Sequence, residues 1–135
     1  MFKKIVGKII IVEDQESWRS LLETILVNDG YFVDVAASYD TAIEALRNSV
    51  FEIAILDMRL IDNSAYNIQG MQILQHIRKN YSHTKVIILT GFPDPYQQKR
   101  ALSYGASAYI SKVPDGKPFD INKFREIIQQ INQSE

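Results

Sequence analysis

Cysteine is absent from all 135 residues. That excludes disulfide staples, thiolate metal sites and a cysteine nucleophile, and it agrees with a reducing cytoplasm. An excess of one charge is missing as well. The net charge is −1 with both signs interspersed, so the chain lacks the basic footprint of a nucleic-acid binder, and direct nucleic-acid binding is not expected. Long apolar runs are also lacking. Near the start Lys8 interrupts the hydrophobic stretch and Glu13-Asp14 closes it, so neither a signal peptide nor a membrane span is expected. There is no internal repeat, low-complexity tract or linker. His76 and His83 have no ligand-like neighbours in sequence and receive no role. Lys3, Lys4 and Lys8 read as a solvated N-terminus. What remains is an ordinary apolar fraction, 46%, in a length that suits one domain spanning 1–135.

Strand-like apolar runs alternate with helix-period segments five times. Lys8 to Val12 reads as the first strand. A helix carrying Trp18, Leu21, Leu22, Ile25 and Leu26 follows and ends at Asn28-Asp29-Gly30, where Gly30 is free to adopt the left-handed conformation. Tyr31 to Ala36 is the second strand, and Asp40 to Arg47 the second helix. The third strand ends at Asp57, and after a long connection a helix carries Met71, Leu74 and Ile77. Val86 to Leu89 forms the fourth strand. Pro93 and Pro95 open a short helix that runs to about Tyr104. Ala108 to Ile110 is the core of the fifth strand, and Ile121, Phe124, Ile127, Ile128 and Ile131 mark the last helix. Strict alternation of this kind predicts an α/β domain with a parallel sheet and right-handed crossovers.

Strands buried on both faces read as continuous β-branched runs, and in an open parallel sheet their C-terminal ends form the ligand edge. Polar residues of distinct kinds stand at four such ends: Glu13-Asp14, Asp57, Thr90 and Lys112. Crowded carboxylates repel, so the site must hold a proton or recruit a cation. Mg²⁺ takes oxygen ligands, usually one or two carboxylates with waters and phosphate oxygens. Asp14 and Asp57 would supply them, with Glu13 acting more indirectly through water. A carboxylate also serves as a nucleophile, while Lys112 adds a cation and Thr90 a hydroxyl donor for the spread charge of a transferring phosphoryl group.

At this point the chain resembles the receiver domain of two-component response regulators. The resemblance rests on Val12-Glu13-Asp14, Leu56-Asp57-Met58, Leu89-Thr90-Gly91 and Gly105 to Lys112, and it extends from about Lys8 to Ile131. It implies a flavodoxin-like (βα)5 doubly wound fold with a five-stranded parallel sheet of order 2-1-3-4-5. It implies that Asp57 accepts a phosphoryl group from a phosphohistidine on a sensor histidine kinase or histidine phosphotransfer protein. Asp14, Asp57 and the backbone carbonyl of Arg59 would ligate Mg²⁺, and Lys112 and Thr90 would bind the phosphoryl oxygens. Thr90 would then shift, Tyr109 would turn inward, and the surface of the fourth helix, fifth strand and fifth helix would change. That surface would meet a downstream protein target, a second copy in a homodimer, or an effector domain absent from this chain. The only chemistry implied is the protein's own phosphorylation and dephosphorylation, in the cytoplasm.

The pattern departs from the family in three places. Ile61-Asp62 occupies the stretch after the phosphoacceptor where proline is common, and Gly70 arrives late, so Arg59 to Gln69 reads as an insertion with Tyr66 its most prominent residue. Lys112-Val113-Pro114 separates the lysine from the proline that usually follows it directly, and Lys117-Pro118 offers a second candidate. The Gly-Ala-x-x-Tyr-x-x-Lys spacing selects Lys112, because Asp115-Gly116 is a turn signal. Finally, Gly91 leaves one wall of the pocket open, and Arg59 and Phe92 stand where the family tunes phosphoryl lifetime.

Competing readings stand beside this one. Tyr109 is also compatible with plain strand core, and Trp18 reads as helix-stripe packing. A haloacid dehalogenase-type hydrolase would need a carboxylate two residues after Asp57, where Arg59 stands. Flavodoxin-like cofactor binding would need a phosphate loop after the first strand, where acidic residues stand instead. A degenerate receiver that binds partners independently of phosphorylation remains the alternative function; it would be expected to lack one of Asp14, Asp57, Thr90 or Lys112.

Overall fold

The structure, a computed structural model, describes residues 7–58 and 69–133. Five strands, β1 (Lys8–Val12), β2 (Phe32–Ala36), β3 (Ile53–Asp57), β4 (Lys85–Thr90) and β5 (Ala108–Ser111), form one parallel sheet of order β2-β1-β3-β4-β5. Five helices connect or follow them: α1 (Glu16–Asn28), α2 (Tyr39–Asn48), α3 (Gln69–Asn80), α4 (Pro95–Ser103) and α5 (Ile121–Gln133).

The apolar runs are continuous because alternate residues enter different cores. Ile10, Val12, Ala54, Leu56, Val86 and Ile88 pack under α2, α3 and α4. Ile9, Ile11, Ile53, Ile55, Ile87 and Leu89 pack under α1 and α5 through Leu22, Leu26, Phe124 and Ile128. A period of two, with helices on both faces, needs an apolar side chain at every strand position. Edge strand β2 has one sheet neighbour and is mostly exposed or half-buried. Each fully buried aliphatic side chain contributes roughly 1.5–3 kcal/mol, so the central strands and the helix faces packed on them share the hydrophobic stabilisation.

Local signals set the ends. Gly30 takes φ +97°, Gly30 N–H donates to the Val27 carbonyl, and Tyr31 N–H donates to the Leu26 carbonyl. This is the double bond pattern of a glycine-terminated helix, and it draws Tyr31 out of β2, which starts one residue later than predicted. Asp94 caps α4 by accepting from Tyr96 N–H at 2.9 Å, with Pro95 in the first turn. Pro93 therefore lies ahead of the helix. Arg125 on α5 donates two hydrogen bonds to Asp29 at 2.8 and 2.9 Å, tying α5 to the end of α1.

Lys8 corrects the expectation of a solvated N-terminus. Its ammonium donates to Ser49 Oγ at 3.0 Å, lies 3.5 Å from Asp34 and 5.3 Å from the Phe51 ring centre, so β1 begins with a pinned cation. Lys3 and Lys4 lie outside the described residues, as do Arg59 and the 59–68 portion of the long connection, Tyr66 included. Among the described residues no peptide bond is cis, and no helix is long and apolar enough to cross a membrane.

Candidate functional site

Central strands β1 and β3 are neighbours, with Val12 level with Leu56, so both acidic ends arrive side by side. Carboxylate oxygens of Glu13, Asp14 and Asp57 all lie within 4.8 Å of one another. At about 4.8 Å two carboxylates repel by roughly 3–4 kcal/mol in a partly screened site. A buried ammonium faces this group. Lys112 follows β5 directly, and its N–H donates to the Thr90 carbonyl at 2.7 Å, continuing the ladder. Its side chain is only 6% exposed, with Nζ 2.7 Å from Glu13 Oε2 and 3.8 Å from Asp57 Oδ2. Lys117 is exposed, so of the two candidates the register brings Lys112 to the carboxylates.

Glu13 is engaged on both oxygens, because Oε1 accepts from Gln15 N–H at 3.2 Å while Oε2 holds Lys112. Arg19 on α1 braces the acidic turn, its Nη1 donating to the carbonyls of Glu13 and Asp14 at 3.0 Å each. Thr90 is buried at the end of β4, and its hydroxyl oxygen accepts from Phe92 N–H at 3.1 Å. A cleft of about 170 Å³ opens over these groups, lined by Asp14, Trp18, Asp57, Thr90, Gly91 and Lys112 among others. Among the described residues a Cβ on Gly91 would meet nothing nearer than Lys112 Cδ at 3.8 Å, so these residues leave that wall open.

Tyr109 lies apart from the cleft lining. Half-buried on β5, it packs against the α2–α4 core, and its hydroxyl accepts from Asp94 N–H at 3.4 Å. The Arg59 carbonyl lies outside the described residues.

Two residues do more here than sequence reading assigned them. Trp18 packs against the α1–α5 core as expected; half-buried, it also lines the cleft, with its ring centre 4.9 Å from Lys112 Nζ. Its helical spacing does place it on the inner stripe of α1, but nothing local in sequence says that the stripe's first turn ends at a lysine from β5. Gly70, judged late, donates its N–H to the Met58 carbonyl at 3.2 Å. A side chain there would collide with the Asp57 carbonyl and meet Met58 Cα at 2.8 Å. Helix α3 therefore begins hard against the end of β3, however many residues intervene.

The donor set fits a hard divalent cation: three carboxylates, no sulfur, and a geometry that gathers negative charge at an open cleft. Comparison with known proteins agrees with the fold and adds a lineage. The profile of the response regulator receiver domain matches residues 9–129. Response regulator ArlR of Staphylococcus saprophyticus is 34% identical over 116 residues, covering 86% of this chain and 48% of that protein. ArlR of Staphylococcus aureus strain Mu50 is 32% identical over 124 residues, covering 92% and 52%. The chain thus spans about half the length of these relatives. A CheY-like receiver domain protein from Methanospirillum hungatei superposes with TM-score 0.80 at 27% identity, covering 93% of this chain and 92% of that one. Response regulator protein TrrA from Thermotoga maritima, solved in complex with Mg(2+)-BeF, superposes with TM-score 0.75 at 24% identity, covering 92% and 97%.

Proposed function

This chain belongs to the response regulator receiver domain family, and from that premise we propose that it is a phosphoacceptor switch in which Asp57 carries the phosphoryl group. The observation that carries the reading is the convergence of Asp57 with Glu13, Asp14 and Lys112 at one sheet edge. Asp14 and Asp57 would hold Mg²⁺ directly, and Glu13, already engaged by Lys112 and Gln15, would act through water. When bound, the ion would neutralise charge on the carboxylates and on the incoming phosphoryl oxygens. The Thermotoga relative's Mg(2+)-BeF complex is consistent with this; the assignment itself rests on the carboxylates of this chain.

Transfer would proceed by in-line displacement. A carboxylate oxygen of Asp57 bonds to phosphorus as the bond from phosphorus to the donor nitrogen of a phosphohistidine breaks, and the imidazole leaves with the bonding pair. Lys112 starts between Glu13 and Asp57 and would turn toward the new phosphoryl oxygens. Thr90 would exchange its bond to Phe92 N–H for a bond donated to one of those oxygens. Beside Thr90, β5 and α4 meet through Tyr109 and Asp94, which gives the event a route to the α4-β5-α5 surface. A sensor histidine kinase or histidine phosphotransfer protein would supply the group in the cytoplasm. A downstream protein, a second copy or an effector domain would read the surface.

Intact-mass spectrometry after incubation with Mg²⁺ and acetyl phosphate tests the proposal. The expected result is a single phosphoryl adduct that disappears with EDTA and in Asp57→Asn, whose fold is retained. An adduct that persists in Asp57→Asn would refute the assignment.

A further inference from the structure

Lys112 has a third neighbour that phosphoryl transfer as described does not use. Its ammonium is drawn more closely to Glu13, at 2.7 Å, than to Asp57, at 3.8 Å. A compact ammonium on a four-carbon stem has no directional fork of its own, so its side of the cleft has to be set by its surroundings. The Trp18 ring stands 4.9 Å from Nζ, within cation–π range, and indole is the most attractive of the aromatic faces. Unlike a carboxylate, the ring attracts the cation without neutralising it, leaving its charge available to phosphoryl oxygens.

The ring is itself fixed. Phe119, in the segment leading to α5, meets Trp18 edge to face at 5.2 Å and 79°. Phe119 in turn packs 5.5 Å from Phe124, a fully buried residue of α5. The indole packs against the α1–α5 core and, half-buried, also stands in the cleft wall beside Asp57 and Thr90.

We propose that Trp18 is a positioning residue for phosphoryl transfer, acting through Lys112: its ring, braced by Phe119, holds the buried ammonium in the wall of the Asp57 cleft. The inference rests on the function proposed above. With acetyl phosphate the step is formation of a bond from an Asp57 oxygen to phosphorus as the phosphorus–oxygen bond to the acetyl group breaks and acetate departs.

The test follows adduct formation by intact mass in Trp18→Leu, Trp18→Phe, Lys112→Met and the Trp18→Leu/Lys112→Met double variant, with Mg²⁺ affinity titrated separately. Trp18→Leu should lower the maximal phosphorylation rate roughly tenfold and leave Mg²⁺ affinity unchanged. Trp18→Phe should recover most of the rate, since it returns a ring. In the Lys112→Met background the leucine change should have no further effect. Trp18 is the only tryptophan, so its emission gives a second readout that needs no turnover. Mg²⁺ with beryllofluoride should shift it in the wild type and leave it unshifted in Lys112→Met. A wild-type rate in Trp18→Leu, the same fractional loss in both Lys112 backgrounds, or emission indifferent to beryllofluoride bound by the wild type would overturn the proposal. If the wild type takes neither phosphoryl nor beryllofluoride, the phosphoacceptor function itself fails and this inference with it.

Discussion

Replacing Gly70 by alanine sets two opposing effects against each other at the end of β3. In an exposed helix the change stabilises by about 1 kcal/mol, because alanine loses less backbone entropy. At Gly70 the new Cβ would run into the Asp57 carbonyl and come within 2.8 Å of Met58 Cα and 2.9 Å of the Met58 carbonyl oxygen. All three are backbone atoms and cannot rotate aside, so α3 must lift. Overpacking of this kind costs about 3 kcal/mol. The Gly70 N–H bond to Met58, 3.2 Å long, would be lost for about another 1 kcal/mol. The clash wins, and Gly70→Ala should be less stable by about 3 kcal/mol, or about 10 °C in melting midpoint for a domain of this size. Gly91→Ala is the control. Among the described residues its Cβ would meet only Lys112 Cδ at 3.8 Å, so its stability should stay within about 0.5 kcal/mol of the wild type. Urea unfolding followed by circular dichroism measures both. A Gly70→Ala protein as stable as the wild type would refute the claim that α3 is seated on the end of β3.

Lys112→Met should destabilise the fold by about 2–4 kcal/mol, because it removes the buried ammonium paired with the Glu13 and Asp57 carboxylates. Mg²⁺ should then raise the melting midpoint more in the variant than in the wild type, and equal shifts would argue against a shared site. Tyr31 predicts an alkaline limit. Burial first, and the Asp29 charge second, push its hydroxyl above the ordinary value of 10.0. The folded state therefore holds this proton more tightly than the unfolded chain. The resulting stability is fully present below about pH 10 and lost as pH rises through the folded value. Urea midpoints should fall more steeply above pH 10 in the wild type than in Tyr31→Phe, and parallel profiles would contradict the assignment.

The long connection marks one limit of what the sequence makes legible. Spacing alone made Gly70 look displaced from the family's glycine, yet its N–H and missing side chain put it against Met58 and Asp57. A loop's length says little about where its far end lands, since added residues change the closure entropy only slowly. Lys8 shows the same limit in reverse: grouped with Lys3 and Lys4 it read as solvated, but the end of α2 brings Ser49 to it and β2 brings Asp34.

The amino-acid sequence by itself determined the architecture. Continuous β-branched runs alternating with amphipathic helices admit a parallel sheet covered on both faces, because only that arrangement buries every strand position. It also determined which polar residues stand at strand ends, since each run terminates visibly in Glu13-Asp14, Asp57, Thr90 or, after Ser111, Lys112. Only the tertiary structure decided how those groups divide their interactions. Lys112 lies nearer Glu13, 99 positions away, than Asp57, and Trp18 faces its ammonium rather than serving as core alone. Such choices depend on ångström differences between side chains carried by different elements. Local periodicity reports which face of an element is buried and is blind to what the neighbouring element places against it.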